Sequence, residues 1–247
     1  MIFITHDGSG SQRAHAMTDF YHGHSVILLG GAPSLREQPL ELLEQRGVIV
    51  AAINNAAKHV RPQLWFSSDH PQSFEPRILK DPTILKFAAM GFSQAPVFDS
   101  TFSKVPNTFF YMSDKDIPIG ALLDKGPGTP WHGNTLLVAI SVLYDLGFRR
   151  IILGGSDFEF KGDKVYAHST KLSQRERELN TLLYSTQVLE LKRLAPIFKE
   201  KGLEFCDCSK NSKLGGTFPV LSMEEAVALC LKGFPAQDID SNALPHG

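Results

Sequence analysis

The sequence predicts an α/β fold built on an open, mostly parallel sheet, and three observations carry that prediction. Strand-length apolar runs such as Val26-Ile27-Leu28-Leu29 are continuous rather than alternating, as in strands buried on both faces. Each run stops at small or polar residues: Gly30-Gly31, Asn54-Asn55, Asp69-His70 or Gly154-Gly155-Ser156-Asp157. Helical patterns separate several of the runs, which is the grammar of parallel strands joined by crossovers.

Residues 1–23 are polar, broken and rich in Gly, Ser and His, and read as a flexible N-terminal arm with at most one short strand at 2–5. Residues 24–29 form the first buried strand, turned by residues 30–34 into a helical pattern over 35–45. Residues 48–53 and 64–68 are two more buried strands. Around 71–130 the pattern weakens to a less regular insertion, with short strand candidates at 83–87 and 108–111 between proline-containing loops.

From Gly133 the pattern sharpens. Residues 134–146 are apolar on nearly every side, as in a helix covered by other layers, and Gly147 stops them. Residues 150–153 are a strand, 161–164 a turn, and 173–201 a long charged helix that Pro196 kinks or divides. A last strand at 203–208 is followed by a helix at 222–231, with Ser222 as N-cap and Glu224 and Glu225 in the first turn. The tail at 234–247 reads as flexible. The expectation is one Rossmann-like domain over 24–233, with helices on both faces of the sheet.

Composition bounds the function classes. A chain of 247 residues with 43% apolar content can bury a full core, and 25 basic against 26 acidic residues leave a formal charge of −1 without blocks of one sign. Nothing in that balance points to a nucleic-acid or membrane surface, although a local phosphate-binding patch needs only a few side chains. Cys206, Cys208 and Cys230 are read as reduced thiols, the first two sharing one face of a strand, with no further ligands at zinc spacing. The amino terminus has neither a basic leader nor a long apolar run, and no segment approaches the roughly 18 apolar residues of a membrane span, so a cytoplasmic protein is expected.

In a parallel sheet every strand's carboxyl end lies on one edge, and ligands bind along that edge. Gly30, Gly31, Ala32, Pro33 and Ser34 let a ligand approach the backbone and offer amides to a phosphate, or form an ordinary turn. They match neither G-x-G-x-x-G nor the lysine-bearing Walker loop. Asn54 and Asn55 suit sugar hydroxyls, a base edge or a diphosphate, or cap the next helix. Asp69 suits a ribose, a sugar or a metal, or a turn before Pro71.

Gly133, Asn134 and Thr135 open the buried helix and aim free amides at whatever lies there. Ser156, Asp157, Phe158 and Glu159, followed by Tyr166 and His168, supply carboxylates, a phenol and an imidazole after one strand end, a set fit for acid–base work. His22, His24, His59 and His70 form no metal-ligand spacing.

The segments VILLGGAPSL, AAINNAA and GNTLLVAISVLYDLGFRRIILGGSDFEFKGDKVYAHST, in that order, resemble a superfamily. It contains bacterial lipooligosaccharide sialyltransferases, flagellin-modifying motility accessory factors and archaeal hydroxymethylpterin diphosphokinase-like proteins. The resemblance covers residues 24–60 and 130–215. It implies a cytidine-nucleotide-type pocket lined by residues 30–34, Asn54 or Asn55, residues 133–135 and Asp157, with Tyr166 near a phenol that contacts donor phosphate. Gly31 replaces the family's loop asparagine, Glu159 stands where a second tyrosine is expected, and the region of Tyr184-Ser185-Thr186 lacks the family's catalytic histidine.

The expectation that follows is a sialyltransferase-like glycosyltransferase. It moves a sugar from a nucleotide-sugar to a hydroxyl of a glycan, a protein or a modified DNA base, with His168, Glu159 or Asp157 as base and Tyr166 on the leaving phosphate. No cofactor is firmly implied, and a homo-oligomer is compatible with the sequence. Two alternatives stay open: a diphosphokinase in which Asp69 and Asp157 hold Mg²⁺, and a noncatalytic nucleotide-binding protein.

Overall fold

The computed structural model describes residues 1–7, 11–131, 133–160, 166–167, 173–209 and 212–232. Its main strands are β1 (Ile2–His6), β2 (Gln12–Ala16), β3 (Ser25–Leu29), β4 (Val50–Ile53), β5 (Leu64–Ser67), β6 (Leu85–Ala89), β7 (Thr108–Tyr111), β8 (Arg150–Gly154) and β9 (Glu204–Asp207). They form a single sheet in the order β9-β8-β3-β4-β5-β6-β7-β1-β2. From β9 to β7 all neighbours are parallel, and β1 and β2 add an antiparallel edge.

β3 shows why the runs are continuous. Val26 and Leu28 enter the apolar layer on one face, while Ile27 and Leu29 enter the layer on the other, since successive side chains of a strand point to opposite sides. Ile151 and Leu153 of β8 and Leu64 and Phe66 of β5 join the first layer; Ile152 and Trp65 join the second. The first layer is closed by α2 (Thr135–Asp145) and by Leu191, Leu194 and Phe198 of α3 (Gln174–Glu200). The second is closed by Ile78 and Leu79 of the short helix α1 (Pro76–Lys80), and by Met223, Ala226, Val227 and Cys230 of α4 (Met223–Leu231). The α/β class, the mostly parallel sheet and helices on both faces are therefore as expected. No described helix is long and apolar enough to cross a membrane.

Several expectations need correction. Residues 1–23 are not a loose arm where described: β1 and β2 extend the sheet, Phe3 is fully buried against Phe87, Met17 and Tyr21 are buried, and the Met1 amino group bonds Asp145 at 2.6 Å. Their apolar anchors are single residues set among polar ones, so no run announces them. The less regular insertion at 71–130 in fact supplies β6 and β7 to the main sheet. The helix expected over 35–45 is two 3₁₀ turns, Pro33–Glu37 and Leu40–Glu44. Pro39 forces Gln38 into an extended conformation, with φ −95° and ψ 146°, and so breaks the helical run.

Pro196 does not divide α3. The carbonyl it leaves unbonded, that of Lys192, sits on an exposed turn where water can take its place, while Leu191, Leu194 and Phe198 pack through the same stretch. Ser173 and Glu176 close a capping box at its start, and Ser222 with Glu225 closes another on α4. The three cysteines are free and buried, and burial raises their thiols to about 11 for Cys206 and about 12 for Cys208 and Cys230. The 161–164 turn and the 234–247 tail lie outside the described residues.

Candidate functional site

The chain leaves β3 toward β4 on one side and returns through α2 to β8 on the other side of β3. The loops after β3 and β8 thus part in opposite directions and open a crevice, the topological switch point where open α/β sheets take ligands. A cleft of about 850 Å³ lies there. Its lining includes Gly30, Gly31, Ala32, Asn54, Asn55, Asp69, Gly133, Asn134, Thr135, Ser156, Asp157, Phe158, Glu159 and Tyr166. Residues predicted from five separate segments therefore meet in one concavity. Pro33 and Ser34 are not among its lining residues, and His168 lies outside the described residues.

The two switch loops are locked to each other. Gly30 N donates to Gly154 O at 2.8 Å and Ala32 N to Gly155 O at 2.9 Å. A Cβ on Gly30 would come within 2.7 Å of Gly155 O and closer still to Ser156 Oγ, and a Cβ on Gly155 within 2.6 Å of Gly30 O. The glycines therefore serve backbone-to-backbone approach between loops. Ser34 donates its hydroxyl to Asp157 Oδ1 and its amide to Oδ2 at 3.3 Å. Asp157 is only 1% exposed, so its carboxylate braces the loops. Of the amides expected to cradle a phosphate, Gly30, Ala32 and Ser34 are spent on this lock, Pro33 has none, and Gly31 alone is without an acceptor among the described residues.

The opposite wall holds the asparagines. Asn54 adopts a left-handed backbone with φ 50°, which asparagine tolerates better than most residues. Its Nδ2 donates to Asp69 Oδ2 at 2.8 Å and its carbonyl accepts from Trp65 Nε1 at 2.9 Å. Neither asparagine caps the 3₁₀ turn Asn54–Lys58, whose N-cap is Ile53. The Oδ1 atoms of Asn54 and Asn55 are both buried without a partner among the described residues. Asp69 keeps an exposed edge, yet the cleft walls withdraw it from water and raise its carboxyl pKa, with the Asn54 bond pulling the other way.

The α2 end contributes differently. Gly133 has φ 73°, and Asn134 caps the helix, its Oδ1 accepting from Leu137 N at 2.8 Å. Asn134 Nδ2 is buried and has no partner among the described residues, in a residue 7% exposed. Past β8, Ser156 N donates to Ser209 Oγ at 3.1 Å, Phe158 turns the chain with φ 57°, and Glu159 pairs with Lys213 at 2.7 Å. Ala167 N donates to Gly31 O at 2.8 Å, which pins Tyr166 beside the β3 loop.

One cleft residue was not legible from the loop motifs. Tyr184 of α3 lies beside Tyr166, and both phenols are pushed up chiefly by burial. Glu176, Asn180, Leu183, Tyr184 and Gln187 all line the cleft, a helical spacing that could have been read as one face. Asp69 and Asp157, the pair considered for Mg²⁺, are each already engaged by a protein donor. Among the described residues no group of three or more His, Cys, Asp or Glu is placed to hold a metal ion.

No family model matches the chain, and no curated protein matches it. Among solved structures, the sialyltransferase CstII from Campylobacter jejuni, in complex with a substrate analogue, cytidine-5'-monophosphate, is similar over 81% of this chain and 85% of its own, with 15% identity and a TM-score of 0.43.

Proposed function

We propose that the chain is a nucleotide-sugar-dependent transferase of the glycosyltransferase kind, with the nucleotide in the switch-point cleft. The observation that carries the proposal is the cleft's three asparagines, each with a buried amide atom that has no partner among the described residues: two acceptors, Asn54 Oδ1 and Asn55 Oδ1, and one donor, Asn134 Nδ2. A buried polar atom without a partner costs about 1–3 kcal/mol, and rotation of these side chains toward a ligand carrying both donors and acceptors, as a base and ribose do, would recover part of that cost. The motif resemblance over residues 24–60 and 130–215 points the same way.

In this proposal the first amides of α2, behind Asn134 and Thr135, face the donor's phosphate, and the Tyr166–Tyr184 pair donates to it. The acceptor oxygen attacks the anomeric carbon as the bond from that carbon to the phosphate oxygen breaks. Its proton passes to Asp69, whose raised pKa suits a base better than an ordinary carboxylate. Asp157 positions the loops through Ser34. Incubation with CMP-, UDP- and GDP-sugars, read as release of free nucleotide, tests the reading. Release from one donor class that falls at least tenfold in Asp69→Asn supports it, and no release from any donor, with or without hydroxyl acceptors, counts against it.

A further inference from the structure

Asp69 is held in the cleft from two sides. Its amide donates to Ser67 Oγ at 3.0 Å, and the hydroxyl of Tyr111, a fully buried residue of β7, donates to Ser67 O at 2.9 Å and lies 2.8 Å from Ser68 Oγ. These contacts fix the backbone at the end of β5. The carboxylate is fixed from the end of β4, where Asn54 Nδ2 donates to Asp69 Oδ2 at 2.8 Å. The aim of that amide depends on the left-handed backbone of Asn54, φ 50°, and such conformations persist only where the surroundings hold them. The indole of Trp65 supplies the hold. Its Nε1 donates to Asn54 O at 2.9 Å from a fully buried side chain packed edge-on against Phe74, the rings 5.0 Å apart. A buried indole N–H needs an acceptor, and here the acceptor belongs to the residue whose side chain grips Asp69.

We propose that Trp65 is a positioning residue for Asp69, acting through Asn54: the indole N–H anchors the Asn54 carbonyl, and the anchored Asn54 presents its amide to the carboxylate. The relay ends on the group read above as the proton acceptor, so its catalytic meaning rests on that reading, while its existence does not. Its effect has a sign. The Asn54 bond favours the ionised carboxylate and burial opposes it. Loosening Asn54 removes the favourable contribution and leaves burial, so the Asp69 pKa rises. Tyr111 and Tyr166 feel the charge of Asp69, and Lys58, His70, Asp157, Glu159, Glu176 and Tyr184 share the cleft with it. Substitution of the uncharged Trp65 removes none of these groups.

Carboxyl-carbon NMR titration of Asp69 in the full chain, the signal assigned by its loss in Asp69→Asn, tests the relay without any ligand. Trp65→Phe and Asn54→Ala are each expected to raise the Asp69 midpoint. The double variant is expected to raise it no further than Asn54→Ala alone, because the two residues act in series. Replacement of Trp65 by benzothienylalanine keeps the shape of the indole and lacks only its N–H, so it isolates the hydrogen bond from packing and serves where Trp65→Phe does not fold. It is expected to give the same rise. A midpoint unchanged by loss of the N–H, or shifts that add in the double variant, would overturn the relay. With a nucleotide-sugar that turns over, the acid limb of kcat/KM against pH is expected to move up with the midpoint; a limb that stays in place would overturn the catalytic role of Trp65. A midpoint that shifts as expected in a chain that turns over no nucleotide-sugar would support the relay and count against the proposed reaction alone.

Discussion

Ser34 and Asp157, 123 positions apart, hydrogen-bond twice across the switch-point crevice, once through the Ser34 hydroxyl and once through its amide at 3.3 Å. The pair joins the turn after β3 to the turn after β8, the two segments whose separation opens the cleft. Removing the hydroxyl leaves a buried carboxylate with one long backbone bond. Ser34→Ala is predicted to lower unfolding free energy by about 1–3 kcal/mol, measured by urea denaturation, and to weaken nucleotide binding because the β3 loop is no longer held.

The two glycines of the β3 loop are predicted to respond differently. A Cβ at Gly30 meets the Gly155 carbonyl at 2.7 Å, whereas the nearest atom to a Cβ at Gly31 is Ala56 N at 3.9 Å. Gly30→Ala should destabilise the fold by about 1–3 kcal/mol through overpacking. Gly31→Ala should leave the melting temperature unchanged and alter only ligand affinity, since Gly31 lies on the cleft wall.

Asn134 does two things that substitution can separate. Asn134→Asp keeps an N-cap oxygen for Leu137 N but discards the unpartnered Nδ2. It is expected to hold the melting temperature and lose about tenfold in nucleotide affinity, ~1.4 kcal/mol. Asn134→Ala should lose both, with a stability cost of about 1 kcal/mol.

Lys86 gives the fold a pH signature away from the cleft. Its side chain is fully buried, and Nζ donates to the carbonyls of Asp81, Ile84 and Pro106. Burial lowers its pKa from 10.5 to about 8. Between those values the unfolded chain binds more protons than the folded one, so this group makes stability rise with pH from about 8 to 10.5, and that gain is lost as pH falls back through 8. Denaturation curves across this range should show the rise in the wild type and a flatter response in Lys86→Met.

The parallel core was legible because strands covered on both faces carry continuous apolar runs, such as Val26-Ile27-Leu28-Leu29 within Ser25–Leu29. The edge was not, since Phe3, Met17 and Tyr21 anchor residues 1–23 one at a time. β6 and β7 were found as short candidates, but their place in the sheet depends on pairing partners that no local pattern specifies. Topology alone brought the strand-end residues into one cleft. It could not reveal that Asp157 is consumed by Ser34, nor that Tyr184 reaches Tyr166 from a helix read only as charged.

Isothermal titration of the purified chain with CMP, UDP, GDP, ADP and ATP, each with and without Mg²⁺, tests the nucleotide site most directly. A nucleotide site in the switch-point cleft predicts that one nucleoside mono- or diphosphate other than ADP binds without metal, and that Asn55→Ala and Asn134→Asp each weaken it about tenfold, ~1.4 kcal/mol. Binding confined to ATP with Mg²⁺, binding untouched by both substitutions, or no binding of any nucleotide would contradict it.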